Sequence, residues 1–412
     1  MSKFSHVPQP AKDPVMHSCV LFAQDNNLNK VNLGVGAYKD ENGKPWILPS
    51  VRKAEEIISS DLAKYSKEYP PQAGYPLFLK TCQELLFGEE HIAIKENRIA
   101  TCQSLSGSGS LHVGLCFFKE NYSEHDFYYP SITWANHHLI HEKVYKDIPF
   151  CEYTYLYEDG KLAIDFQGMK RDFVNARDGS VFLLHACAHN PTGIDLTKQQ
   201  WVEVKDIFKA KKHVAFFDLA YQGFATGSFE EDGYSVRMFA EEGVEMVVAQ
   251  SFAKNFGLYG ERVGACHIVH SDKHNSQLSA NLQGVMCTII RKTWSMSPVH
   301  GAYIIQTIGQ DPELKKQYFE DVKTMSSRIK KMRQMLYEEL VRIGTPGDWT
   351  PIKTCIGMFT FTGLTPAQVE YIKVKFSVYL LVQGGRMSMC GLTEKNVAYV
   401  ANAMKQTVEN VK

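Results

Sequence analysis

The feature that most constrains this chain is a central stretch where short, almost wholly apolar runs alternate with longer amphipathic ones. Val181–Ala188 is nearly continuous in apolar residues, as in a strand buried on both faces. Thr197–Lys212 follows with helical periodicity, and Thr197 suits an N-cap. Val214–Asp218 and Met246–Ser251 read as further strands. Upstream, Arg98–Leu105 reads as a strand, Ser110–Asn121 as its helix and Asp126–Tyr129 as a short strand, with a helix from about Trp134. Such alternation needs crossover connections. It therefore predicts a mostly parallel sheet with helices on both faces.

The C-terminal part has a different pattern. Gln317–Ile343 reads as a long charged helix, stopped by Gly344-Thr345-Pro346-Gly347. Met358–Phe361 and Met387–Cys390 read as strands around a helix Pro366–Lys375, and Thr393–Val411 as a terminal helix. This predicts a smaller α+β layer, with Val31–Trp46 packed alongside it.

Composition excludes several classes. The 412 residues carry 45 Lys+Arg against 45 Asp+Glu, so the formal net charge is zero. A nucleic-acid binder needs a basic surplus, and so does a polybasic membrane-surface protein. With 44% hydrophobic and 22% charged residues the chain can fill a core. The ten cysteines form no C-x-x-C pair and sit among apolar neighbours, as reduced thiols do. No run reaches the ~18 apolar residues of a membrane span. Met1–Gln24 lacks a basic segment before an apolar core. A cytoplasmic enzyme acting on small molecules is the expectation, with no nucleic-acid or membrane partner.

Open α/β sheets bind ligands beyond the carboxyl ends of their strands. Four segments stand there: Ser106-Gly107-Ser108-Gly109, His189-Asn190-Pro191-Thr192-Gly193, Asp218-Leu219-Ala220-Tyr221 and Ser251-Phe252-Ala253-Lys254, with Arg262 eight residues on. The first makes a nest of N–H groups before a helix, which suits a phosphate. Lys254 lies among small and apolar residues, where an amine loses its proton more easily and becomes a nucleophile. Each piece alone has an ordinary structural explanation: a turn, a helix cap, a surface lysine. GxGxxG and the Walker lysine are both missing, which argues against a nucleotide-dependent dehydrogenase. His137/His141 and His185/His189 are spaced by four but lack H-E-x-x-H, so no metal site is expected.

Taken together, these segments resemble the aspartate aminotransferases, fold type I among pyridoxal-phosphate enzymes. The likeness runs nearly end to end and is greater to the eukaryotic-type branch. It rests on Val31–Tyr38, His185–Gly193, Phe217–Ala225, Ser251–Tyr259, Gly384-Gly385-Arg386 and Cys390–Thr393. It implies a large domain, residues 49–321, with a mostly parallel seven-stranded-type sheet flanked by helices. It also implies a smaller α+β domain built from both chain ends, residues 14–48 and 322–412, after an N-terminal arm at residues 1–13.

The resemblance further implies roles. Lys254 would hold pyridoxal 5′-phosphate and move the substrate proton. Asp218 would keep the pyridine nitrogen protonated, Tyr221 and Asn190 would donate to the ring's phenolic oxygen, and Trp134 would stack on the ring. Ser106, Gly107, Ser108, Ser251 and Arg262 would hold the phosphate, joined by Tyr69 from the other subunit of a homodimer. Arg386, with Asn190 and the Gly36 backbone nearby, would bind the substrate α-carboxylate. Arg291 from the partner would bind the distal carboxylate. The implied reaction is a ping-pong exchange between L-aspartate and 2-oxoglutarate. An aromatic or broad-specificity aminotransferase is the alternative. Ser108 stands where the family commonly has threonine; the hydroxyl is kept and a methyl is lost.

Overall fold

The structure, a computed structural model, describes residues 2–10, 12–146, 148–158 and 161–412. Residues 1 and 11 of the expected arm, and 147, 159 and 160 of the expected large domain, lie outside the described residues. Two compact units emerge. One comprises Pro45–Lys330 and Cys355–Met358; the other comprises Met1–Lys44, Lys331–Thr354 and Phe359–Lys412.

The first unit holds a seven-stranded sheet. In spatial order its strands are Ile99–Ser104, Gly264–Val269, Met246–Ser251, Val214–Leu219, Val181–His185, Phe127–Pro130 and Cys151–Tyr153. All neighbours pair in parallel except Gly264–Val269, which runs antiparallel to both of its neighbours. Every residue of Val181–His185, Val214–Leu219, Met246–Ser251 and Gly264–Val269 is buried. That explains why the first three read as continuous apolar runs rather than alternating ones. Phe216 and Phe217 are both fully buried, and each stabilises the fold by about 1.5–3 kcal/mol relative to exposure.

The antiparallel Gly264–Val269 was not expected, and neither was the short edge strand Cys151–Tyr153. The helix expected from Ser110 starts four residues earlier and spans Ser106–Asn121. The strand expected to reach Ala188 stops at His185, and Ala188 turns left-handed with φ 49°. The helix Lys198–Lys211 does start at Thr197, through a reciprocal capping box with Gln200.

In the second unit, Val31–Asn32 pairs in parallel with Val378–Tyr379, and Arg386–Ser388 pairs antiparallel with Phe359–Phe361. Helices Pro14–Gln24, Pro366–Phe376 and Val397–Asn410 complete this α+β layer. Thr365 and Gln368 form a capping box at the start of the second of these helices, with Pro366 at its first position. The helix Pro312–Arg342 passes from one unit's segment of sequence into the other's. No helix among the described residues is long and apolar enough to cross a membrane.

Candidate active site

The strand ends of the large sheet gather most of the predicted residues in one unit. Asp218 is the fifth residue of Val214–Leu219, Ser251 ends Met246–Ser251, and Ser106 opens the helix after Ile99–Ser104. All three are buried, as are Tyr221 and Asn190.

Ser106 and Ser251 face each other with hydroxyls 3.0 Å apart. Leu105 gives the helix Ser106–Asn121 no side-chain cap, so its first N–H groups are open to an external anion. Two glycines make room here. A Cβ on Gly264 would lie 2.5 Å from the Gln250 carbonyl and 2.8 Å from the Ser106 carbonyl carbon. Only glycine lets the antiparallel strand pass so close to Ser106. A Cβ on Gly107 would lie 3.2 Å from that of Ser251, crowding the same concavity. Ser108 is half-buried in the first helical turn. Arg262 is exposed, with φ 51°, and its Nη1 donates to the Tyr259 carbonyl at 3.0 Å.

Lys254 is half-buried, its Nζ 5.1 Å from the centre of the Tyr221 ring. Burial lowers its pKa from the ordinary lysine value and the Arg262 charge adds to this, against the pull of Asp218. A lysine so placed loses its proton more easily than one in water.

Asp218 shows the opposite balance. Burial pushes its pKa up, but the hydrogen bond from His137 and the nearby Lys254 bring it below the usual carboxylate value. His137 Nε2 donates to Asp218 Oδ2 at 3.0 Å. His137 Nδ1 lies 2.8 Å from Thr133 Oγ1, which lies 2.8 Å from His185 Nε2. Burial, with the neighbouring His137, lowers the His185 pKa to about 3, so this end of the chain is neutral. Either proton order along the last two links leaves Asp218 as acceptor. One histidine from each pair noted in the sequence, His137 and His185, thus belongs to a hydrogen-bonded chain that ends on a carboxylate. Sequence reasoning did not assign Thr133, His137 or His185 to the site. No local signal marked them: His185 stands beside Asp218 only through strand register, their Cα atoms being direct partners.

Trp134 is half-buried, edge-on to the His137 ring at a centroid distance of 5.4 Å. Tyr69 is 80% exposed. Arg291 is exposed and donates to the Ser295 hydroxyl. Among the described residues, no hydrogen bond, ion pair or ring contact joins either one to Lys254. Arg386 and Gly36 belong to the other unit. There Arg386 Nη2 donates to the Gly34 carbonyl at 2.9 Å, two residues before Gly36, and its guanidinium lies 4.2 Å from the centre of the Phe359 ring.

One unit thus holds a lysine amine whose charged form burial disfavours, a buried aspartate with a lowered pKa and a helix start without a side-chain cap. Residues 29–404 match the model of the class I and II aminotransferases, and the chain belongs to that family. Within it, the similarity narrows to aspartate aminotransferases. The chain is 43% identical over 411 residues to "Aspartate aminotransferase 1" of Medicago sativa, covering 100% of this chain and 96% of that one. It superposes on the cytoplasmic aspartate aminotransferase of Giardia lamblia with a TM-score of 0.98 at 55% identity, covering 100% and 99% of the two chains. An aromatic-amino-acid aminotransferase of Burkholderia pseudomallei, covalently bound to pyridoxal phosphate, matches with a TM-score of 0.92 at 35% identity, covering 99% and 100%. Relatives named cytoplasmic, mitochondrial and chloroplastic all match.

Proposed function

We propose that this chain transfers the amino group of L-aspartate to 2-oxoglutarate, giving oxaloacetate and L-glutamate in a ping-pong cycle with pyridoxal 5′-phosphate. The observation that carries this reading is the Lys254 amine, weakened as a base by burial, in the same unit as an Asp218 kept ionised by His137. The residues fit the cofactor: the Ser106–Ser251 concavity, kept open by Gly107 and Gly264, suits its phosphate.

Bound there, pyridoxal phosphate supplies an electron sink for the pair left when the amino acid loses its α-proton. Lys254 would hold the cofactor, and its amine would move the proton taken from the substrate Cα. Asp218 would keep the pyridine nitrogen protonated. Tyr221 and Asn190 would donate to the phenolic oxygen, and Trp134 would stack on the ring. Ser106, Gly107, Ser108, Ser251 and Arg262 would hold the phosphate. Arg386 is assigned the substrate α-carboxylate, as a bidentate fork, and Gly36 and Asn190 are assigned to the same group. Arg291 takes the distal carboxylate.

The purified enzyme is expected to be yellow, to lose its visible band with aspartate and to recover it with 2-oxoglutarate. Arg291→Ala should lower kcat/KM for aspartate by several hundred-fold or more, roughly 10²- to 10⁴-fold, since breaking one desolvated charge pair costs about 3–5 kcal/mol. Phenylalanine turnover should be largely spared. Equal losses on both substrates would make Arg291 structural. A wild-type kcat/KM higher for phenylalanine than for aspartate would favour an aromatic specificity, the reading to which the Burkholderia neighbour lends weight.

Tyr69 and Arg291 stand exposed in the single chain, which suits residues that complete the site of a second copy. The proposed assembly is therefore a two-fold homodimer with shared sites. Mixing inactive Lys254→Ala and Arg291→Ala dimers under subunit exchange should restore about a quarter of wild-type aspartate activity, because half the dimers are hybrids with one good site of two. Activity equal to the sum of the parents, with exchange verified by mass, would place both residues in one chain. The cytoplasm is the proposed location, supported by the cytoplasmic relatives.

A further inference from the structure

Two aspartates outside the set above hold main chain instead of ligand. Asp195 accepts the backbone N–H groups of Ala188 at 2.5 Å and His189 at 2.8 Å. Asp232, 2% exposed, accepts those of Gly223 at 2.7 Å, Ala225 at 3.1 Å and Thr226 at 3.0 Å, together with the Thr226 hydroxyl at 2.6 Å. The first clamp ends one residue before Asn190, and the second begins two residues after Tyr221. These are the two proposed donors to a single atom, the phenolic oxygen of the cofactor.

We propose that Asp195 and Asp232 are positioning residues that hold the Asn190 and Tyr221 segments so that both donors converge on that oxygen. The inference rests on the aminotransferase reading above. Ala188 needs such a clamp, since its φ of 49° is a conformation that a non-glycine residue keeps only when its surroundings enforce it. The rest of the segment is stapled as well. Tyr155 stacks on His189 at 3.9 Å between ring centroids and donates to the Ile194 carbonyl at 2.7 Å. His189 Nδ1 lies 2.9 Å from the Thr192 hydroxyl. On the other segment, Asn255, next to Lys254, donates to the Gln222 carbonyl at 3.2 Å. Burial pushes the Asp195 pKa up to about 6 and raises that of Asp232 too; the backbone donors work against both shifts. A carboxylate oxygen accepts where an asparagine Nδ2 can only donate. An Asp→Asn change at either place therefore sets N–H against N–H while keeping the shape.

The test uses the cofactor-loaded enzyme and reads the pH midpoint of its visible band. A donor to the phenolic oxygen stabilises its negative charge and lowers that midpoint. Asp195→Asn and Asp232→Asn should each raise it by about 0.5 to 1 pH unit, the size of one weakened hydrogen bond. The milder Thr226→Val, which removes one donor to Asp232, should move it the same way by less and covers the case in which an Asp→Asn variant does not fold. Asp321 is the control. It is also buried and accepts from the Ser50 N–H at 2.9 Å and hydroxyl at 2.6 Å, but it clamps neither segment. Asp321→Asn should lower the melting temperature and leave the midpoint unchanged. Unshifted midpoints in the Asp195 and Asp232 variants, or an equal shift in Asp321→Asn, would overturn the proposal while leaving the aminotransferase reading intact. A colourless wild type would overturn both.

Discussion

Replacing Lys254 with alanine is expected to lower aspartate transamination by at least about 10⁴-fold, because one side chain is asked to supply both the covalent link and the proton transfer. Positioned proton transfer alone contributes about 10²–10⁴-fold. The fold should survive. Lys254 is a partly buried cation whose charged form is disfavoured by desolvation, so removing it relieves that penalty while losing the attraction of Asp218. The measurement is steady-state turnover together with thermal melting. A parallel borohydride reduction of the wild type should fix the cofactor on Lys254 and on no other lysine. More than about a hundredth of wild-type activity in a well-folded Lys254→Ala protein would refute the assignment. So would a borohydride label at another position.

Asp218→Asn carries the second-largest expected effect. The substitution keeps the size and an acceptor for His137 Nε2 but removes the negative charge. The surroundings of Asp218 keep that charge: burial raises the pKa, and the His137 hydrogen bond with the nearby Lys254 reverses the sign. If the carboxylate is the partner of a protonated pyridine nitrogen, its loss leaves that nitrogen without a desolvated counter-charge, a penalty of about 3–5 kcal/mol. Turnover should fall by roughly 10²- to 10⁴-fold, at about 1.4 kcal/mol per factor of ten. The loss should appear in the single-turnover decay of the visible band with aspartate. Aspartate affinity should change far less, because Asp218 is assigned no carboxylate of the substrate. Retention of about a tenth of the wild-type rate or more would show that the charge is not used in the chemical step.

Local chemistry made much of the fold and site legible. Val181–His185, Val214–Leu219 and Met246–Ser251 sit between helix-covered faces, so their burial shows directly in unbroken apolar runs. Thr197 and Gln200 announce a helix start within four residues. Once the strands are placed, the rule that ligands bind beyond their carboxyl ends selects Ser106, Asn190, Asp218, Ser251 and Lys254 without any tertiary information. The family resemblance then adds Trp134, Arg386, Gly36, Tyr69 and Arg291.

What stayed hidden depends on neighbours distant in sequence. Gly264–Val269 is a strand because Ile99–Ser104 and Met246–Ser251 flank it, and nothing in its own residues states that it runs antiparallel. Ser106–Gly109 reads as a loop because its serines and glycines are poor helix formers. It is the first helical turn because Ser106 packs on Gly264 and Ser251. Asp195 and Asp232 look like loop carboxylates until the fold aims them at backbone N–H groups six to nine residues away. The column Asp218–His137–Thr133–His185 requires the lateral register of two strands, His185 against Asp218, and a helix returning across them. The sequence by itself determined the alternation of strand and helix and the chemical groups at the strand ends, because periodicity and capping are local. Only the tertiary structure decided which of those groups share protons and which carboxylates hold the backbone, because register and burial are set by the whole sheet closing at once.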